Sequence, residues 1–295
     1  MKERCRIFDT YSDFSAYWTY ACSKNVDEQI ALWQNSYMKK YPELLDKQVQ
    51  SYGVENVDWR GIAKKIFPTL LLRLQFMQKA RNNILSIYKS ICTRALQRLG
   101  LDFDVVLVIY VGIGCGAGWA TTYSGQPAIL LGLENIAEQK WHTKNKLQGL
   151  ISHEIGHLIH MKWRAEWETF EKTEQDPLFQ LYSEGFAQRC EHIILGRETW
   201  HMARNEDWLL WCNQNKSSLA KKFLEKLEKQ ESVRKFFGSW FSINGKSQTG
   251  YFLGHALIRE LGRVHSLREI ALLNVQNMRK LFLHYLRSIS MGKGE

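Results

Sequence analysis

The sequence predicts an α+β fold, mostly helical, with a small β-sheet next to one motif-bearing helix. Three observations predict it. Long stretches carry apolar residues at helical spacing, as in Leu71, Leu74, Ala80, Ile84, Ile87, Ile91, Ala95 and Leu99. Two short runs, 104–111 and 127–134, are apolar, the first of them rich in β-branched residues, and both are of strand length. Between the second run and the helical remainder lies Gly149 to His160, an apolar segment with His153 and His157 one helical turn apart. At 295 residues and 34.6 kDa the chain can bury an ample core as one large domain or two modest ones. The composition divides it into a helical region, 1–100, packed on a second part, 101–295, that holds the candidate site.

Residues 1–100 read as helices throughout. Phe14, Tyr17 and Trp18 are helically spaced, a second helix covers 27–41 and stops at Pro42, and a third begins there. Asp58-Trp59 opens a fourth, Pro68 heads the long pattern, and Gly100 ends it. Val105–Val111 reads as a buried strand. Gly112, Gly114, Gly116 and Gly118 follow it, a spacing that is not G-x-G-x-x-G and lacks Gly-Lys-Ser/Thr, so a flexible turn beside a cleft is expected and nucleotide binding is not. Thr121–Gly125 reads as strand and turn. The run 127–134 is a further strand, placed to line the cleft, and Glu134 and Asn135 are read as cleft residues. A helix follows and carries the histidines. Residues 163–180 are polar and connect that helix to the next, with a surface loop round Pro177. Residues 199–235 read as basic helices anchored by Trp200, Trp208 and Trp211, and 265–290 as one or two terminal helices.

Hydrophobic content of 45 %, aromatic content of 13 % and four prolines exclude a disordered chain. No apolar run approaches the ~20 residues of a membrane-spanning helix, and the charged start, Met1 to Arg6, is followed by no signal-like segment. Six scattered cysteines without a C-x-x-C pair predict reduced thiols and a cytoplasmic protein. The net charge is +10, with 16 basic and 9 acidic residues in 1–100, 8 and 13 in 101–200, and 16 and 8 in 201–295. The acidic middle third suits a cation. The basic flanks carry no nucleic-acid-binding signature and read as solvated helix faces, so nucleic acid is not an expected partner.

The chemistry concentrates in His153-Glu154-Ile155-Gly156-His157. Residues four apart share a helix face, so two neutral imidazoles can address one ion. Glu154, about 100° round from His153 at 3.6 residues per turn, stands beside that ion as a candidate general base. Nitrogen donors with a neighbouring carboxylate suit zinc. His160 shares the face but lies about 10 Å along the axis from His153, too far for one straight helix to wrap round a tetrahedral ion. It is read as a helix-end residue or an outer hydrogen-bond donor. Trp163 stands where a metzincin would have its third histidine, which excludes that branch. The better third ligand is Glu184, in Tyr182-Ser183-Glu184-Gly185-Phe186-Ala187.

His-Glu-x-x-His followed some 25 residues later by Ser-Glu-Gly-x-Ala resembles the gluzincin metallopeptidases, the thermolysin-like branch of the zincins, over roughly 105–260. The resemblance implies a zincin-like fold for 101–295, one Zn²⁺ held by His153, His157 and Glu184, and Glu154 as base. It departs from the pattern at Gln188, where thermolysin-like enzymes carry an Asp that braces a ligand imidazole. Thr249-Gly250-Tyr251-Phe252-Leu253-Gly254-His255 is similar to the matching stretch of a group of predicted bacterial zinc-dependent proteases. A gluzincin needs a donor for the oxyanion, and the resemblance offers Tyr251 first and His255 second. The implied function is a zinc metallopeptidase acting on peptide or protein substrates. The alternatives are a non-catalytic zincin-fold binding or regulatory protein, against which the retained Glu154 speaks, and a zinc hydrolase of a non-peptide amide or ester.

Overall fold

A computed structural model describes residues 4–54, 56–203 and 206–292; the first three residues of the charged start lie outside these. Helices dominate, with one small sheet, so the chain is α+β. It forms two compact units, Met1–Glu154 and Ile155–Glu295.

The first unit contains strands β1 (Cys5–Asp9), β2 (Val105–Tyr110), β3 (Trp119–Tyr123) and β4 (Gln126–Gly132). Its helices are α1 (Tyr11–Ala21), α2 (Val26–Leu32), α3 (Pro42–Val54), α4 (Trp59–Leu99) and α5 (Leu133–Glu138). Helix α6 (Lys144–Arg164) begins here and continues into the second unit. The sheet order is β1-β2-β4-β3, with β1, β2 and β4 parallel and β3 antiparallel to β4. Every residue of β2 is buried, as a central parallel strand with both faces covered requires. β3 and β4 form a hairpin through Ser124 and Gly125, both at positive φ, the turn whose twist matches paired strands.

Four expectations are corrected in this unit. Cys5–Asp9 is a strand within the stretch read as helical; five residues are too few to show a period, and pairing with β2 decides the matter. α4 is one helix of 41 residues that runs through Pro68 from its Asp58 cap to left-handed Gly100. Pro68 removes one N–H there without ending the helix. Cys5 and Cys92 form a disulfide between β1 and α4, where reduced thiols were expected. Finally, the glycine segment is pinned rather than flexible. The Glu134 carboxylate accepts from Gly112 N at 2.8 Å and Gly114 N at 3.1 Å, and Tyr52 Oη donates to Ile113 O at 2.9 Å. Glu134 is thus a fully buried clamp and not a cleft residue. Burial pushes its carboxyl up to about 7, against the pull of those backbone N–H groups.

The second unit is built on α8 (Pro177–Leu195), preceded by the short α7 (Phe170–Thr173). After it come α9 (Glu206–Gln214), α10 (Lys216–Glu228), α11 (Arg234–Phe237), α12 (Thr249–Leu261), α13 (Leu267–Ala271) and α14 (Val275–Ser290). Pro177 is not on a loop but opens α8: Asp176 caps the helix by accepting from Leu178 N and Phe179 N at 3.0 Å. Asp176 also pairs with Arg279 of α14. α12 crosses α8 backbone to backbone, and a Cβ on Gly185 would stand 2.3 Å from Gly254 C. His160, expected at a helix end, is buried in the middle of an aromatic cage. The rings of Phe186, Tyr182 and Phe170 lie 4.3, 4.7 and 5.1 Å from its own. Burial holds its imidazole well below the usual range, hence neutral. Among the described residues no helix is long and apolar enough to cross a membrane.

Candidate metal centre

Two helices supply the site. α6 is helical because Leu147, Leu150, Ile151, Ile155, Leu158 and Ile159 are all buried. Its end is marked by Ala165, at φ 54. α8 starts at the Asp176 cap and stops at left-handed Gly196, which leaves Glu184 two turns inside rather than at an N-terminus. Gly156 lets the two backbones close: a Cβ there would lie 2.8 Å from Ala187 Cα and 2.7 Å from Cys190 Cβ. A side chain at 156 would push α8 and Glu184 away from His157.

The result is a group of three. One ligand atom each of His153, His157 and Glu184 lies within 4.8 Å of the other two. His157 Nε2 is 3.4 Å from Glu184 Oε2. Two ligand atoms about 2.0–2.1 Å from one tetrahedral zinc stand about 3.3 Å apart, so this spacing fits the edge of such a tetrahedron. On its other side, His157 Nδ1 is 3.0 Å from Ser183 Oγ and 3.8 Å from Glu174 Oε1. Glu174 and Ser183 were missed as site residues. Glu174 belongs to the stretch read as a connector, and no periodicity marks it. Burial raises its carboxyl to about 7, with His157 pulling the other way and Glu184 adding to the rise.

Glu154 lies on α6 between the two histidines, and its carboxylate sits against the glycine segment. A Cβ on Gly118 would meet Glu154 Oε1 at 2.6 Å and Cγ at 2.8 Å. Gly118 immediately precedes β3, one of the two edge strands, whereas β4, expected to line the cleft, is an interior strand between β2 and β3.

No protein-family model, no curated protein and no solved structure matches this chain. The geometry alone therefore carries the functional reading.

The remaining predicted residues fall as follows. His255 groups with His192 and Glu198, its ring 4.5 Å from that of His192. Burial, followed by the charges of His192, Arg189 and Arg259, holds the His255 imidazole down to about 2. Tyr251 is half-buried, with its ring 6.1 Å from that of Phe237. The Nε2 of Gln188 donates to Thr199 O at 2.7 Å and lies 2.9 Å from His192 Nε2. A third group joins His153 to Glu191 and His201, the last two a buried pair at 2.8 Å.

Proposed function

We propose that this protein is a zinc-dependent metallopeptidase of zincin-like fold, with His153, His157 and Glu184 as ligands and Glu154 as general base. The observation that carries this reading is the 3.4 Å approach of His157 Nε2 to Glu184 Oε2 within the three-residue group. The donor set fits the ion: two imidazole nitrogens and one carboxylate leave a fourth position open, as a catalytic zinc site requires. When bound, zinc supplies Lewis acidity that lowers the pKa of a water towards ~7 and polarises a carbonyl.

The chain's own groups do the rest. Glu154 takes a proton from the attacking water and delivers it to the leaving amine. Tyr251 is the oxyanion donor to test first and His255 the second. The edge strand β3, reached through Gly118 beside Glu154, offers main-chain groups for an extended peptide to pair with.

The test is Glu154→Gln. The variant should bind zinc like the wild type and hydrolyse nothing in a mixed peptide pool. Undiminished hydrolysis would overturn the assignment of the base. Cleavage of amide or ester libraries but not of peptides would move the substrate class and leave the site standing.

A further inference from the structure

Apart from the candidate centre, His192, Glu198 and His255 form a group in which one ligand atom of each lies within 4.8 Å of the other two. It shares no residue with His153, His157 and Glu184. His192 is in the last turn of α8, and left-handed Gly196 turns the chain so that Glu198 comes back to it. His255 arrives on α12, next to Gly254, where the backbones of α8 and α12 meet. Both histidines are buried, with their rings 4.5 Å apart. The Trp200 ring lies 5.2 Å from each of them.

Two contacts bear on what this group can hold. His192 Nε2 lies 2.6 Å from Thr199 O, which fixes that ring; histidines of metal sites are commonly oriented by a backbone carbonyl in this way. His255 Nε2 is buried and meets no hydrogen-bond partner among the described residues. A buried polar atom in that condition costs stability unless a ligand reaches it. All three residues line one cavity of about 460 Å³, together with Arg189, Arg197 and Arg259. Glu198 is exposed, and its pair with Arg259 is loose at 3.8 Å. An exposed pair of that kind contributes little, so the carboxylate can leave it and close on an ion.

We infer that His192, His255 and Glu198 form a second metal site, for a divalent transition-metal ion such as zinc. Imidazole nitrogens select ions of this class over Mg²⁺ and Ca²⁺, which prefer oxygen. A tetrahedral ion held by two nitrogens and one carboxylate keeps a fourth position, and here that position opens on the cavity. The three arginines of the cavity oppose a bare cation and suit an anion in that position. The site does not depend on the metallopeptidase reading. His255, second in line as an oxyanion donor, has in it a role of its own.

The experiment measures Zn²⁺ bound per chain by equilibrium dialysis over a range of free zinc. It uses the full chain of the wild type, His157→Ala, His192→Ala, His255→Ala and Glu198→Ala, with urea unfolding of the metal-free forms as the check on folding. The wild type should hold two ions. His157→Ala should keep the ion of the second site, and His192→Ala and His255→Ala should each lose it. Glu198→Ala should weaken that ion by at least about 10-fold, the low end of what loss of a mere outer partner costs. Glu198 is exposed, so this variant should fold like the wild type and decides the matter where a histidine variant does not fold. Two ions held equally tightly by the wild type and Glu198→Ala would overturn the site. A wild type with one ion that His157→Ala abolishes would also overturn it and leave the first centre standing. One ion that survives in His157→Ala and is weakened in Glu198→Ala would instead keep this site and remove the first. A wild type that binds no zinc would overturn both.

Discussion

Glu184 Oε2 stands 3.4 Å from His157 Nε2, although the two residues are 27 positions apart and lie on different helices. A carboxylate and an imidazole at this separation attract a divalent cation more strongly than either does alone, and His153 completes the group. Replacing Glu184 with Ala should lower zinc affinity by at least the roughly 10–100-fold that loss of an outer partner causes. Metal analysis after dialysis is the check. Zinc content equal to the wild type would remove Glu184 from the ligand set.

Gly118 controls where the Glu154 carboxylate can be. A methyl group at 118 would overlap Glu154 Oε1 and Leu150 Cδ1, at 2.6 and 2.8 Å. Gly118→Ala is expected to leave zinc binding in place while lowering turnover, because the general base is displaced and the ligands are not. Overpacking of this kind costs about 1–3 kcal/mol in stability. Turnover and zinc content measured on one preparation separate the two effects.

Where α8 and α12 cross, backbone meets backbone. A Cβ on Gly254 would lie 2.2 Å from Leu181 O, and one on Gly185 2.4 Å from Gly254 O. Neither neighbour can rotate away, so Gly185→Ala and Gly254→Ala should each destabilise by about 3 kcal/mol, the upper end of overpacking costs. Urea unfolding midpoints of the two variants give the answer. Gly185 adjoins Glu184 on α8, so a shift of the helix at 185 moves that carboxylate, and Gly185→Ala should weaken zinc binding as well.

The buried Glu134 predicts a pH dependence. Its folded carboxyl is raised to about 7 from an ordinary value of 4.5. Between these two values the folded state holds the extra proton, so stability falls as pH rises from about 4.5 to about 7 and levels off beyond. At about 1.4 kcal/mol per pKa unit the contribution is on the order of 3 kcal/mol. Glu134→Gln cannot ionise and should flatten this part of the curve. Chemical denaturation at pH 5, 6, 7 and 8 measures the slope, and parallel curves for the two proteins would exclude Glu134 as its source.

The Cys5–Cys92 bridge joins residues 87 positions apart, on β1 and α4. Cross-links of native proteins typically contribute about 2–4 kcal/mol, largely by restricting the unfolded chain. The double variant Cys5→Ser, Cys92→Ser should unfold at lower denaturant by that amount. Non-reducing peptide mapping should recover the two cysteines in one linked fragment.

Sequence by itself determined the local structure. Spacing placed His153, Glu154 and His157 on one buried helix, the apolar run at 105–111 on a strand, and Gly100 at a helix end. These follow from contacts between residues a few positions apart. Tertiary structure decided what depends on distant partners. Residues 5–9 became a strand only by pairing with 105–109, and β4 became an interior strand because β3 folded back along it. Glu174 and Ser183 reached His157 Nδ1 from the turn and the helix that follow α6, without any signal in their own surroundings. His255, one helical turn beyond Tyr251, went to His192 and Glu198 because the close crossing of α12 and α8 sets which face of each helix meets the other. A periodic pattern records which side of a helix is buried; it does not record against what, since any apolar surface satisfies the same pattern.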